Sequence, residues 1–210
     1  MKKTLEKTRS FSDNTGPGTP EDFKADFQTP VPVANYMVSL LPEYISIGNV
    51  YTKCKDVLEP TPGVGHIKRA LIDAGYNVTA PDDYFLLDRK KRFDAIVMNP
   101  PFSQKFTFMQ NAPIELTKPG MRMGYWFLTD CMKRSDNVIA LMPWFTISDS
   151  DVRLRYLVRY GLKALIALPR KTFEFTRIQT IIIVLQKGYK GETVFKAWDC
   201  LNDHTQPKLL

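Results

Sequence analysis

Phe93-Asp94-Ala95-Ile96-Val97-Met98-Asn99-Pro100-Pro101-Phe102 is the stretch on which the fold turns. Its apolar residues, interrupted only by Asp94, predict a strand buried on both faces, because Ile and Val suit a covered pleat and the two prolines forbid its continuation. The strand therefore stops at a side-chain amide, a proline carbonyl beyond the reach of a sheet partner, and an aromatic ring. Those three groups at the carboxyl end of a strand suit a flat group that carries an amine.

Moving outward, Asp56-Val57-Leu58-Glu59-Pro60 predicts a short strand that runs into Thr61-Pro62-Gly63-Val64-Gly65, with a helix from His66 to Ala74. Strand, glycine turn and helix make the first half of a nucleotide-binding βαβ unit. Gly75 ends that helix, and Tyr76 to Ala80 is a second strand. The segment Pro81 to Leu87 leaves no room for another full helix before the strand that ends at Asn99. On the amino-terminal side, Pro32 to Leu41 places Val33, Tyr36, Met37, Leu40 and Leu41 at helical spacing, with Thr29 as the expected N-cap. Beyond the central stretch, residues 105–116 read as helical up to Pro113 and Lys118-Pro119-Gly120 as a turn. Strands follow at Asn137 to Pro143, Lys163 to Pro169 and Thr180 to Gln186, a basic amphipathic helix at Asp149 to Tyr160, and a last edge strand within Glu192 to Trp198. Strands alternating with helices predict an α/β fold: a doubly wound, mostly parallel, Rossmann-like sheet with helices on both faces, whose ligands sit at the carboxyl ends of its strands.

The totals agree with one such domain. The chain has 210 residues, 44% of them apolar and 24% charged, enough for one ordinary core. Residues 1–25 are polar and predict a flexible tail, 26–190 the folded domain, and 191–210 a short extension. No apolar run is long enough to cross a bilayer, and the charged start has no apolar segment behind it, so a cytoplasmic protein without a membrane partner is expected. Cys54, Cys131 and Cys200 are scattered, and His66 and His204 have no ligand partners nearby, so no metal site is expected. The net charge of +7 favours a polyanionic partner.

Two segments carry chemistry. Glu59 at the end of its strand repels phosphate and attracts an ammonium or sulfonium, so the glycine loop suits an amino-acid-bearing cofactor better than a dinucleotide. At Asn99-Pro100-Pro101-Phe102 the Asn99 side-chain oxygen and the Pro100 carbonyl can accept the two hydrogens of adenine's exocyclic amine. That pulls the nitrogen toward a tetrahedral shape and frees its delocalised lone pair, while Phe102 stacks on the base. The bland alternative is a strand that ends in a proline turn with Phe102 in the core.

Asp26 to Pro30, Asp56 to Gly65, Asp83 to Leu86 and Phe93 to Phe102, in this order, resemble the S-adenosylmethionine-dependent N6-adenine DNA methyltransferases, in particular the catalytic domains of restriction-modification systems. The likeness covers roughly residues 26–190, with Leu162 to Phe173 and Ile178 to Lys187 similar to the family's paired closing strands. It implies methyl transfer from S-adenosyl-L-methionine to the N6 amine of an adenine flipped out of DNA, with Asn99, Pro100 and Phe102 catalytic. It further implies that Thr29 meets the cofactor's carboxylate and that Glu59, Gly63 and Gly65 line its amino-acid end. Asp83 would accept from the amine of its adenine, with Tyr84 stacked on that ring and Asp82 also among the cofactor-binding residues, and Phe173 would stack on the target base from the far side. For Thr29 the bland alternative is a helix cap, and for Tyr84 a core position.

Two departures from the family accompany the likeness. Asp82 and Asp83 are adjacent where the family separates two acidic residues by a helix and a strand, so either one aspartate serves for two or cofactor binding is weakened. Residues 191–210 are too few for a target-recognition domain, so sequence reading is expected from loops, from the basic helix with Arg153, Arg155 and Arg159, or from a specificity subunit or other protein. Lys105, Lys133, Arg134 and Arg170 extend that helix into an expected phosphate-binding rim. The rival readings are a methyltransferase acting on RNA or on a protein amide, and a catalytically inactive fold that binds DNA or a partner.

Overall fold

Central in the sheet of the computed structural model, which describes residues 28–48, 50–102, 111–117, 123–173 and 178–199, is the strand that leads to Asn99. In chain order the helices and strands are α1 (Val31–Ser39), the hairpin β1 (Tyr44–Ile47) and β2 (Val50–Lys53), β3 (Asp56–Leu58), α2 (His66–Asp73), β4 (Asn77–Thr79) and β5 (Ala95–Met98). Then come α3 (Met123–Arg134), β6 (Asn137–Pro143), α4 (Phe145–Ser148), α5 (Asp151–Tyr160), β7 (Leu162–Ala167), β8 (Thr180–Gln186) and β9 (Val194–Ala197). The main sheet runs β4-β3-β5-β6-β8-β7-β9; β8 is antiparallel to both neighbours and every other pairing is parallel. This is the doubly wound α/β sheet that the sequence predicts.

The apolar strands explain its order. All four β5 residues and Thr180 to Leu185 of β8 are buried, and each such Ile, Leu or Val contributes about 1.5–3 kcal/mol relative to an exposed position. Alternate residues feed opposite cores. Val57, Val97, Leu141 and Ile182 face the side covered by α1 and α2, whereas Leu58, Met98, Met142 and Ile181 face α3 and α5. Asp94, the one charge in the run, is used at the strand's start: its Oδ2 accepts from the backbone N–H groups of Lys55 and Asp56 at 2.8 and 2.9 Å.

Between β4 and β5 the chain makes only a 3-10 turn, Tyr84–Leu86, as the sequence implies. Its attachment to α3 is a buried polar cluster. The Tyr84 hydroxyl donates to Asp130 Oδ2 at 2.6 Å, Arg134 pairs with the same carboxylate at 3.4 Å, and Arg134 Nη1 donates to the Asp88 carbonyl at 2.9 Å. Burial pushes the Tyr84 phenol well above its ordinary pKa, with the buried Cys131 thiol and Asp130 adding to the shift.

Four features depart from the sequence reading or go beyond it. The first helix starts at Val31 with Pro30 in the N-cap position and no side-chain cap, so Thr29 does not cap it. The α3 helix falls between the expected turn and strand, and the β1-β2 hairpin precedes the first predicted strand; neither was foreseen. The expected helix around residues 105–116 lies mostly outside the described residues, which hold a 3-10 turn at Ile114–Thr117. Among the described residues no helix is long and apolar enough to cross a membrane.

Candidate active site

β3 and β5 lie side by side with Val57 opposite Ala95 and Leu58 opposite Ile96. Strand order reverses between them, β4 flanking β3 and β6 flanking β5. A doubly wound sheet opens a crevice at such a point, beyond the carboxyl ends of its strands. The glycine loop and the Asn99-Pro100-Pro101-Phe102 tetrad both project there because each directly follows one of these two strands. Thr61 Oγ1 donates to the Asn99 carbonyl at 3.2 Å, which ties the two segments together.

A third segment is laced across them. Asn99 Nδ2 donates to Thr29 Oγ1 at 3.0 Å, the His66 Nδ1 donates to the Thr29 carbonyl at 2.7 Å, and the Val64 N–H donates to Gln28 Oε1 at 2.9 Å. Thr29 is only 4% exposed and serves through both its hydroxyl and its carbonyl. Gly63 (φ 54°) and Gly65 (φ 89°) are left-handed, a conformation costly for other residues. A Cβ at Gly63 would lie 2.5 Å from Gln28 Oε1, the end of a flexible side chain that can swing away, so the positive φ and not space is what favours glycine there.

Glu59, the residue directly after β3, is 1% exposed, and its Oε2 has no hydrogen-bond partner. Burial pushes its carboxyl up to about 8, partly offset by the backbone N–H and the ammonium of Lys68. An orphaned buried carboxylate oxygen beside a glycine loop calls for a cationic donor, and an amino-acid ammonium meets that requirement.

The tetrad rests on α3. A Cβ on Gly124 would stand 3.4 Å from Phe102 Cδ1 and 3.5 Å from the Pro101 carbonyl oxygen, which puts this helix position directly against the tetrad. Phe102 is half-buried and packs on the core between the sheet and α3.

Some expected site residues stand elsewhere. Tyr84 is 3% exposed, with its ring among Phe127, Phe85 and Trp126 and the Arg134 guanidinium 5.0 Å from its centroid. It has almost no free surface on which a cofactor's adenine could stack, and its role in this structure is the core one. Phe173 is 4% exposed and belongs to the core on the α1-α2 side, the opposite face from Phe102. It therefore does not face Phe102 across a base; Phe175 lies outside the described residues. Asp83 caps the 3-10 turn through Oδ1, which accepts from the Phe85 N–H, and its Oδ2 accepts from Asn111 Nδ2 at 2.7 Å. Asp82 beside it is exposed.

The basic rim is smaller than predicted. Arg134 is buried in the Asp130 cluster, Lys133 also pairs with Asp130, and Lys105 is not among the described residues. Arg153 lies over the Tyr125 ring, whereas Arg155 and Arg159 are exposed on α5. Gln28, His66, Gly124 and Asp130 are the site residues or supports that the sequence reading missed, and Arg134, expected in the rim, is a support instead. The sequence reading considers His66 only as a metal ligand and as the start of a helix. Its place directly after a Gly-x-Gly loop was the available signal.

Residues 64–202 match the family model described as N-6 DNA Methylase. Among curated proteins no sequence match is found. Among solved structures, a protein assigned as a class I S-adenosylmethionine-dependent methyltransferase from Listeria monocytogenes superposes with a TM-score of 0.62 at 15% identity, covering 85% of this chain and 68% of that one. A modification subunit assigned to a type I restriction enzyme from Vibrio vulnificus gives 0.54 at 19% identity, covering 81% and 46%. The methyltransferase subunit of a type I restriction-modification system from Streptococcus thermophilus gives 0.54 at 19% identity, covering 82% and 47%. The chain thus spans just under half the length of those two subunits, and at these identities the likeness concerns the fold.

Proposed function

Because the chain belongs to the N-6 DNA methylase family, we propose that it transfers a methyl group from S-adenosyl-L-methionine to the N6 amine of an adenine in DNA. One observation carries this reading: the Asn99 tetrad emerges at the reversal point of the sheet, beside the Glu59 glycine loop, with its amide anchored on Thr29. When bound, the cofactor supplies an electrophilic methyl on a sulfonium. Glu59 receives its ammonium, the turn through Gly63 and Gly65 allows close approach of the backbone, and Asp82 and Asp83 are the acceptors available toward its adenosine. Tyr84 and Phe173 are left out of the assignment because their rings are enclosed.

The chain's own work on the target is to hold and polarise it. The Asn99 amide oxygen and the Pro100 carbonyl accept the two amine hydrogens, drawing the nitrogen lone pair out of the ring system, and Phe102 stacks on the base. No strong base is needed, since the amine can lose its proton after the nitrogen has become tetrahedral. Reaching that amine in a duplex requires base flipping, at a cost on the order of a few kcal/mol, partly recovered by stacking. Exposed Arg155 and Arg159 of α5 supply phosphate contacts. A specificity subunit or another protein is the proposed source of sequence recognition; the likeness to type I modification subunits supports it.

A tritium-transfer assay from labelled S-adenosylmethionine, with duplex DNA, ribosomal RNA and protein as competing acceptors, tests the reading. Label in DNA that is recovered as N6-methyladenine is the expected result. Label confined to RNA or protein, or no transfer together with no cofactor binding at millimolar concentration, would overturn it.

A further inference from the structure

His66 is the first residue of α2, directly after the left-handed Gly65, and no side chain caps that helix. Its ring turns back across the chain to the segment before α1, where Nδ1 lies 2.7 Å from the Thr29 carbonyl oxygen. A carbonyl can only accept, so Nδ1 must carry a proton whatever the state of Nε2. The same Thr29 receives the Asn99 side-chain nitrogen on its hydroxyl at 3.0 Å. Three residues from separate segments therefore form one relay, from the start of α2 through Thr29 to the tetrad.

The orientation at the end of that relay matters chemically. The two ends of an asparagine amide are alike in shape and opposite in hydrogen bonding. With Nδ2 turned to Thr29, the amide presents its oxygen on the other side; turned over, it would bring two N–H donors against the donor amine of the target. A threonine hydroxyl can accept or donate, and here it accepts from Nδ2; it keeps the amide in that place only if its own backbone is fixed, and before α1 the His66 bond is a side-chain contact that fixes it.

We propose that His66 is a positioning residue for the tetrad, holding Thr29 by its carbonyl so that the Thr29 hydroxyl holds the Asn99 amide in place for the target amine. The proposal rests on the methyl-transfer reading for its kinetic consequence and on geometry alone for its structural one.

The test uses the full chain in four variants, each checked for the native thermal midpoint. His66→Leu keeps bulk and removes the donor. His66→Asn returns an N–H near the Nδ1 position. Thr29→Val keeps shape and removes the hydroxyl, and Thr29→Ser returns it. In the tritium assay with duplex DNA, His66→Leu and Thr29→Val are expected to lower kcat at least 10-fold with both KM values within 3-fold. His66→Asn and Thr29→Ser should recover to within 3-fold of the parent, and the His66→Leu/Thr29→Val double variant should lose no more than either alone. A parental kcat in His66→Leu, a loss carried wholly in KM, or failure of His66→Asn to recover activity would overturn the proposal. A second readout needs no turnover: nitrogen-15 NMR should find a protonated Nδ1 on His66 and a displaced Asn99 side-chain amide resonance in His66→Leu. An unmoved Asn99 resonance would overturn the positioning role even if the parent methylates DNA. A displaced one would support it even if the parent transfers no methyl group, in which case only the methyl-transfer reading falls.

Discussion

Asn99 Nδ2 rests on Thr29 Oγ1 across 3.0 Å, joining residues seventy positions apart in the chain. A strand end that has no ladder partner for its side chain is thereby held by a segment that precedes the whole sheet. Asn99→Ala removes both that anchor and the acceptor oxygen. We expect kcat for adenine methylation to fall by about 10²–10³-fold, the range for loss of one preorganised polar group. Cofactor affinity should stay within a few-fold by calorimetry. Methylation at the parental rate would refute the assigned role.

Glu59 makes stability depend on pH with a definite sign. Its carboxyl is raised from 4.5 to about 8 in the folded protein, so between those values the folded state keeps a proton that the unfolded state has lost. Stability without cofactor should therefore decline as pH rises from about 5 to 8, by at most about 1.4 kcal/mol per pH unit. Urea titrations at three pH values read the slope, and Glu59→Gln should flatten it.

An ammonium-bearing ligand would reverse the preference at the same group, since it binds the ionised carboxylate. S-adenosylmethionine affinity should strengthen as pH rises toward about 8 and should be largely lost in Glu59→Gln. Calorimetry across this range checks the prediction, and equal affinity for the parent and Glu59→Gln would contradict it.

Asp130 separates buried from exposed electrostatics on one carboxylate. Arg134 is buried beside it, whereas Lys133 is 73% exposed. Arg134→Leu leaves Asp130 short of its buried partner and should cost about 3–5 kcal/mol in denaturant unfolding. Lys133→Ala should cost about 0–1 kcal/mol. Similar losses in the two variants would show the cluster to be better solvated than its burial implies.

Gly124 tests how tightly α3 supports the tetrad. An added Cβ would meet Phe102 and Met142 at 3.4 Å, an ordinary contact distance. Gly124→Ala should therefore be tolerated and gain up to about 1 kcal/mol of helix stability. Gly124→Val adds branches that must displace Phe102 or the Pro101 carbonyl, and its activity should drop at least 10-fold with little change in thermal midpoint.

Much of this arrangement was readable from residue order. Ile181 to Leu185 could only be a doubly covered strand, and β8 runs over Thr180–Gln186 as expected. Pro100 and Pro101 marked the end of β5. The doubly wound α/β sheet, with ligand groups at the carboxyl ends of its strands, followed from strands and helices in alternation; the order of its strands did not. Helix α3 was less legible, because Gly124, Tyr125, Trp126 and Phe127 mask its periodicity with apolar groups on several faces. Tyr84 shows a different limit. Whether an aromatic ring after a strand is open to a ligand depends on what packs over it, and here that is decided by Asp130 and Arg134, 46 and 50 positions away in the chain. Thr29 does not cap α1, and the structure joins it to Asn99 and His66, a connection that only the assembled fold reveals.

The short passage from β4 to β5 has a consequence for how the molecule meets copies of itself. With no further strand beyond β4 among the described residues, the outermost main-chain groups on that side belong to three residues, Asn77–Thr79, and the Asn77 side chain is turned to Asp56 Oδ1 at 3.1 Å. An unpaired strand margin is a template for cross-chain association and, when long and flat, for fibrillar aggregation. Three residues offer too brief a row of donors and acceptors to hold an incoming strand, so this margin resists self-assembly by its shortness.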